Sequence, residues 1–308
     1  MFKKILFGLA SAGLLAGAAS AKEFTSVGVT VSTFSDPFQN SIVKGVTDRA
    51  KQINPNAKVT ALASDYDLQK QFSQIDNFIT TKVDLIMLVA ADPQAILPAV
   101  KRAEAAGIPV VAVDVSAAGA KATIQTDNVK AGAMACQYLS DKLGGKGKVV
   151  ILNGPAVSSI KDRVKGCKAV LSKGKFEILS DNQNGKATRD GSLAVAQSLM
   201  TRFPKIDGVF TVCDQSAVGA DLAAKQMNRK EFVIVSVDGS PEIEVSLKSN
   251  SLIQGAVAQN PYAMAMRALD VGHQILKTGK APSTPVILLD PKLVTRDNVA
   301  SYKGWTAN

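Results

Sequence analysis

Two aspartates stand where an apolar run stops. Val111-Ala112-Val113-Asp114-Val115-Ser116 and Val235-Ser236-Val237-Asp238-Gly239-Ser240 share one Val-x-Val-Asp-x-Ser pattern. A β-branched run ending in an acid reads as a buried parallel strand that delivers a carboxylate from its carboxyl end, which is where open α/β sheets bind ligands. Two such strands suggest two similar halves, each presenting one carboxylate to a shared pocket. An ionised carboxylate only accepts hydrogen bonds, so the matching ligand is rich in hydroxyl donors. Helix capping is the plain alternative use of such an acid. The sequence favours the ligand for Asp114 and Asp238 and leaves both uses open for Asp36.

Other chemistries find few residues to run on. His273 is the only histidine and sits in a helical stretch, so serine-histidine-aspartate, cysteine-histidine and multi-histidine metal sites start weak. The three cysteines, Cys136, Cys167 and Cys213, lack the close spacing of a zinc site. Neither a metal nor a cofactor is expected. No Gly-x-Ser-x-Gly elbow occurs, and Gly144-Gly145-Lys146-Gly147 precedes a strand, whereas a phosphate loop follows a strand and opens a helix.

The elements that must position the acids alternate. A strand at 26–31 leads to Asp36-Pro37-Phe38, a capping acid with proline at the first helical position, and Phe38, Ile42, Val43, Val46, Ala50 and Ile53 then mark one helical face. Strands are expected at 58–63, 84–89 and 109–113, with helices starting at Asp67 and Asp92-Pro93 between them. A second set begins after a short strand at 122–125: helices 128–143, 158–172, 188–203, 216–227 and 241–249 alternate with strands 148–152, 176–180, 208–212, 233–237 and 253–258. Asp214 falls just after the strand that ends near Val212. Such alternation predicts doubly wound parallel sheets with right-handed crossovers. The helix 262–278 and the strand 286–289 are expected to return to the first half, so that the chain crosses three times between lobes.

The beginning of the chain reads as an address. Met1-Phe2-Lys3-Lys4, an apolar run from Ile5 to Ala19, and Ala19-Ser20-Ala21 have the order of a secretory signal peptide, residues 1–21. The run is broken by Gly8, Ser11, Gly13 and Gly17 and is short for a bilayer span of roughly 20 residues. The mature chain is therefore expected to be soluble and exported. The full 308 residues carry a formal charge of +10, and losing Lys3 and Lys4 with the signal peptide lowers this to +8. The lysines are scattered and not interleaved with aromatics, which suits a solvated surface better than a nucleic-acid partner. In an oxidising compartment a Cys136–Cys167 disulfide is expected, since the helices that carry them flank one strand, with Cys213 free near the pocket.

Taken in order, Ser32-Thr33-Phe34-Ser35-Asp36-Pro37-Phe38, Val113-Asp114, Asp127-Asn128, Asp162-Arg163-Val164-Lys165-Gly166, Val237-Asp238-Gly239 and Gln259 resemble the ribose-binding type of periplasmic solute-binding protein, the substrate receptors of bacterial ABC importers. The resemblance covers essentially the whole mature chain. It implies two doubly wound lobes joined by three hinge strands, residues 22–126 with 260–288 and residues 127–259 with 289–308, closing on a sugar or polyol without catalysis. It also implies a monomer that hands its ligand to a membrane permease. Carried over by position, Asp36 and Phe38 meet the ligand from the first helix, Asp114 and Asp238 accept from its hydroxyls, and Arg163 and Gln259 donate from the second lobe. Gln39, Cys213 and Asp214 complete the expected set. This chain departs from the ribose-type pattern at Val115, where the type has an arginine, at Cys213, where it has an asparagine, and at Gln39, Lys186 and Val237, where it has aromatics. Phe38 is then the one aromatic the sequence places at the ligand, which points to a small or acyclic polyol, or a sugar held mainly by hydrogen bonds.

Two rivals share features with this reading. A sugar-responsive repressor uses the same core behind a DNA-binding head, for which some sixty residues would have to precede Phe24; a signal peptide stands there instead. A chemotaxis or signalling sensor would use the same closing motion and differs only in its partner.

Overall fold

The computed structural model describes residues 24–305. The expected signal peptide lies outside them. In chain order, β1 (Ser26–Val31), α1 (Pro37–Ile53), β2 (Lys58–Ala63), α2 (Leu68–Thr80), β3 (Leu85–Leu88), α3 (Leu97–Ala105), β4 (Val110–Val113) and β5 (Ala122–Thr126) form a first alternating set. A second set follows: α4 (Asn128–Lys142), β6 (Lys146–Leu152), α5 (Ser158–Leu171), β7 (Lys175–Ser180), α6 (Arg189–Arg202), β8 (Gly208–Thr211), α7 (Asp214–Gln226), β9 (Val233–Asp238), α8 (Pro241–Leu247) and β10 (Ile253–Ala258). The chain ends with α9 (Pro261–Thr278), β11 (Val286–Leu289), β12 (Lys292–Thr295) and a 3₁₀ turn at Val299–Ser301.

These strands build two six-stranded sheets, ordered β11-β5-β4-β3-β1-β2 and β12-β10-β9-β8-β6-β7. All pairings are parallel except that of β12 with β10. This is the two-lobed, doubly wound α/β architecture expected from the alternation. The interior strands are apolar on both faces, as in Leu-Ile-Met-Leu of β3 and Val-Val-Ala-Val of β4, every residue of which is buried, because crossover helices cover both sides of a parallel sheet. Edge strands β2 and β7 keep exposed positions. Helix α9 packs on α1, β4 and β5, with β11 beside β5.

The chain passes between sheets after β5, β10 and β11, and the three passages lie together. Leu289 is level with Thr126, Ala258 with Lys292, and the Asp127 amide donates to Leu289 O at 2.9 Å. Among the described residues no helix is long and apolar enough to cross a membrane.

Three local details differ from the sequence expectation. Asp92 caps only a turn, its Oδ1 accepting from the amides of Gln94 and Ala95, while α3 starts at Leu97 without a side-chain cap; Pro98 at its entrance delays the regular turn. Helix α7 begins at Asp214, two residues earlier than apolar spacing suggests, with the acid in its first turn, where the helix dipole favours it. Strand β12 lacks an apolar alternation to announce it; its place is set by pairing with β10.

Candidate ligand-binding site

Asp114 directly follows β4, Asp238 ends β9, and both face one cavity between the sheets. Its walls include Asp36, Phe38, Gln39, Tyr66 and Asp114 from the first lobe, and Arg163, Cys213, Gln215 and Asp238 from the second, with Gln259 at the hinge. The space open to the centre of a water molecule is about 40 Å³, so the lobes stand closed over a small volume. They also touch at its rim, where the Ser116 amide donates to Ser158 Oγ at 2.9 Å. Both acids have left-handed or extended positive φ, +64° at Asp114 and +137° at Asp238. Non-glycine residues occupy such angles at a cost, and they persist where the surroundings fix them.

The two acids are supported differently. Asp238 Oδ1 accepts from Arg163 Nη1 at 3.0 Å and from Gln259 Nε2 at 2.6 Å, and its Oδ2 accepts from the Asp214 amide at 3.2 Å. Asp114 Oδ1 is buried with no hydrogen-bond partner among the described residues. A buried carboxylate oxygen without a donor is costly, and this one belongs to a residue on the cavity wall.

Arg163 is itself held on three sides. Besides Asp238, its Nη1 reaches Val212 O at 2.7 Å and its Nε reaches Asn128 Oδ1 at 2.9 Å. Its helix α5 lies hard against α4: a Cβ added at Gly132 would fall 1.9 Å from Arg163 O, and one at Gly166 2.0 Å from Val129 O. Glycine at both places is what lets the backbones approach. Cys136 and Cys167, one on each of these helices, form a disulfide with Cα atoms 5.0 Å apart. Cys213 is a free, buried thiol.

Gln259 connects the hinge to the acid. Its Oε1 accepts from Thr126 Oγ1 at 2.6 Å while its Nε2 donates to Asp238, so two of the three passages share one side chain. On the first lobe Asp36 caps α1 by accepting from the Phe38 amide at 2.9 Å, and Gln39 Oε1 accepts from the Ser32 amide at 3.3 Å. Asp36 thus caps the helix and lines the cavity at once.

Asp214 does not line the cavity. Ser236 Oγ donates to its Oδ1 at 2.5 Å and the Ser240 amide to its Oδ2 at 2.6 Å, so it braces the strand ends behind Asp238. Lys186 is exposed and outside the cavity wall. Tyr66 stands in the cavity where the sequence reading placed no aromatic but Phe38; it follows β2 in a turn with φ +60°, and only that turn carries it inward. Trp305, from the segment after β12, packs edge-on against Phe38 with ring centroids 5.6 Å apart.

Charge in the cavity is unbalanced. Burial, reinforced by Asp238, pushes the Asp36 carboxyl up to about 7. Burial likewise raises Asp114 to about 6, with Arg163 pulling the other way. Asp214 and Asp238 are raised mainly by burial, and Arg163 and Gln259 counter this at Asp238. The Cys213 thiol is pushed by burial to about 12 and is not a nucleophile at neutral pH. Among the described residues no group of histidines, cysteines and acids could hold a metal. A larger open groove of about 590 Å³ runs over β12, but Asp290 and Lys292 there are exposed, and no buried acid from the first sheet enters it.

Comparison with known proteins agrees with this architecture. Residues 27–281 match the family described as periplasmic binding protein domain. The chain is 34% identical over 266 residues to the ribose import binding protein RbsB of Bacillus subtilis, 85% of each chain. It is 32% identical over 279 residues to the xylitol-binding protein of Mycolicibacterium smegmatis, 89% of this chain and 78% of that one. Among solved structures, an ABC transporter periplasmic solute-binding protein from Actinobacillus succinogenes with bound D-allose superposes with a TM-score of 0.82 at 25% identity, covering 90% of this chain and all of that one. The family match, these relatives and the two parallel-sheet lobes agree, and the chain belongs to the periplasmic binding protein family, in its ribose-binding type.

Proposed function

We propose that this protein captures a small neutral sugar or polyol between its lobes and delivers it to the membrane permease of an ABC importer, as an exported monomer without cofactor or catalysis. Residues 22–126 with 260–288 make one lobe and 127–259 with 289–308 the other, and residues 1–21 direct export. The observation that carries the reading is Asp114 Oδ1, a buried acceptor with no donor among the described residues, on a cavity whose opposite wall presents Asp238, Arg163 and Gln259. A polyhydroxyl ligand supplies donors to Asp114 and Asp36 and acceptors to Arg163, while Phe38 and Tyr66 offer faces to its C–H groups. The narrow cavity and the likeness to a xylitol-binding protein favour four- to six-carbon polyols and pentoses over larger sugars.

A thermal-shift screen of D-ribose, D-allose, erythritol, xylitol, D-arabitol and myo-inositol, with calorimetry on the best hit, tests this. A ligand at 100 times its Kd stabilises the folded state by about 2.7 kcal/mol, a readily measured rise in melting temperature. If no sugar or polyol raises the midpoint at millimolar concentration, the assignment falls.

A further inference from the structure

The segment after β12 holds the turn that carries Asp238 and reaches across to the other lobe. Trp305 Nε1 donates to Asp238 O at 2.7 Å, and Tyr302 OH donates to Gly239 O at 2.6 Å. Both carbonyls of a turn with φ of +137° and +73° are thus held by aromatic side chains from one short segment. The same indole meets the Phe38 ring at an interplanar angle of 84°, and Phe38 belongs to α1 of the first lobe. Both rings are buried, each 4% exposed. One residue therefore touches the backbone of the acid on one lobe and the cavity aromatic of the other.

From this geometry we infer that Trp305 is a positioning residue and an interlobe latch: its indole N–H fixes the Asp238 turn, and its ring holds the closed form by docking on Phe38. The inference rests on the proposed hinge motion. The Nε1 bond joins parts of the second lobe and persists when the lobes part, whereas the edge-to-face contact exists only when they meet. An edge-to-face aromatic pair shifts such an equilibrium roughly two- to tenfold. Trp305 is also the only tryptophan in the chain, so tryptophan emission reports on this one place.

The test needs no ligand. Ser116 and Ser158 meet across the rim, so the double variant Ser116→Cys, Ser158→Cys in a Cys213→Ser background forms a disulfide only when closed, at a rate proportional to the closed population. We expect the oxidised protein to be more compact by small-angle scattering than the reduced one, with Trp305 several-fold less quenched by acrylamide. Adding Trp305→Leu is expected to slow crosslinking about two- to tenfold while leaving the melting temperature of the reduced protein within a few degrees. Trp305→Phe, which keeps a ring without the N–H, is expected to fall between the two. Equal compactness of oxidised and reduced protein would overturn the hinge reading itself. Compaction with native crosslinking rates in both Trp305 variants would overturn the latch alone. Should Trp305→Leu fail to fold, Phe38→Leu, which removes the other ring of the pair, takes its place: a native rate overturns the latch and a slowed rate supports it.

Discussion

Arg163 donates to Asp238 across 3.0 Å with both side chains buried, and the same guanidinium holds the end of β8 through Val212 O. The pair is therefore a structural joint of the second lobe as well as part of the cavity wall. Removing one partner of a buried pair leaves an uncompensated charge and costs about 3–5 kcal/mol. Arg163→Met should lower unfolding stability by that order as well as abolish ligand affinity. Arg163→Lys should recover only part of either, because an ammonium cannot reach Asn128, Val212 and Asp238 together. Urea unfolding followed by circular dichroism checks the first effect, and calorimetry the second.

Asp114 should behave otherwise. Its unpartnered Oδ1 means that Asp114→Ala removes no hydrogen bond recorded at that oxygen and relieves a buried charge, so stability should change little or rise. Ligand affinity should fall by roughly one to two powers of ten, the loss of a hydrogen bond to a charged group worth about 1.5–3 kcal/mol. Asp238→Ala should lose both affinity and stability. Asp141→Ala, on the exposed face of α4 where Asp141 accepts from Gln137, is the control and should alter neither. Equal stability losses at Asp114 and Asp238 would contradict this division.

The α4–α5 contact yields a third expectation. The Cys136–Cys167 bridge closes a span of 31 residues, for which chain entropy gives about 3–4 kcal/mol. Cys136→Ser with Cys167→Ser should lower stability by up to that amount. Gly132→Ala should be at least as damaging, because its Cβ would collide with backbone at Arg163 and push the helices apart along with the arginine. Alkylation of unfolded, unreduced protein should label one thiol, Cys213, by mass spectrometry.

The acids also set a pH dependence. Asp36 and Asp114 have folded values raised to about 7 and about 6, both through burial. Between the ordinary carboxylate range and these values the folded form binds more protons than the unfolded chain, so their contribution is full at low pH and is lost as pH rises through 6 to 7. The ligand-free protein should melt at lower temperature at pH 8 than at pH 5.5, and Asp36→Asn should flatten the slope. A melting temperature that rises steadily over this interval would contradict the assignment.

Much of the fold was legible because it is written locally. The β-branched runs around Val111 and Val235, the Asp-Pro start at Asp36-Pro37 and the capping acids Asp67 and Asp127 each declare an element from its neighbours alone. Strand β12 was not, since its four residues become a strand only through pairing with β10.

At the cavity the sequence by itself determined that Asp114 and Asp238 stand at the ends of corresponding strands, because continuous apolar runs and crossover handedness fix which end of a sheet an acid occupies. What only the tertiary structure decided is how each acid is used. The donors that satisfy Asp238 come from Arg163, 75 residues earlier, and Gln259, 21 residues later, and the absence of any partner for Asp114 Oδ1 is a property of packing. Tyr66 and Trp305 belong to the same class. A turn with positive φ brings one inward and the path after β12 brings the other across the cleft, and neither local spacing nor residue type encodes a contact made between distant segments.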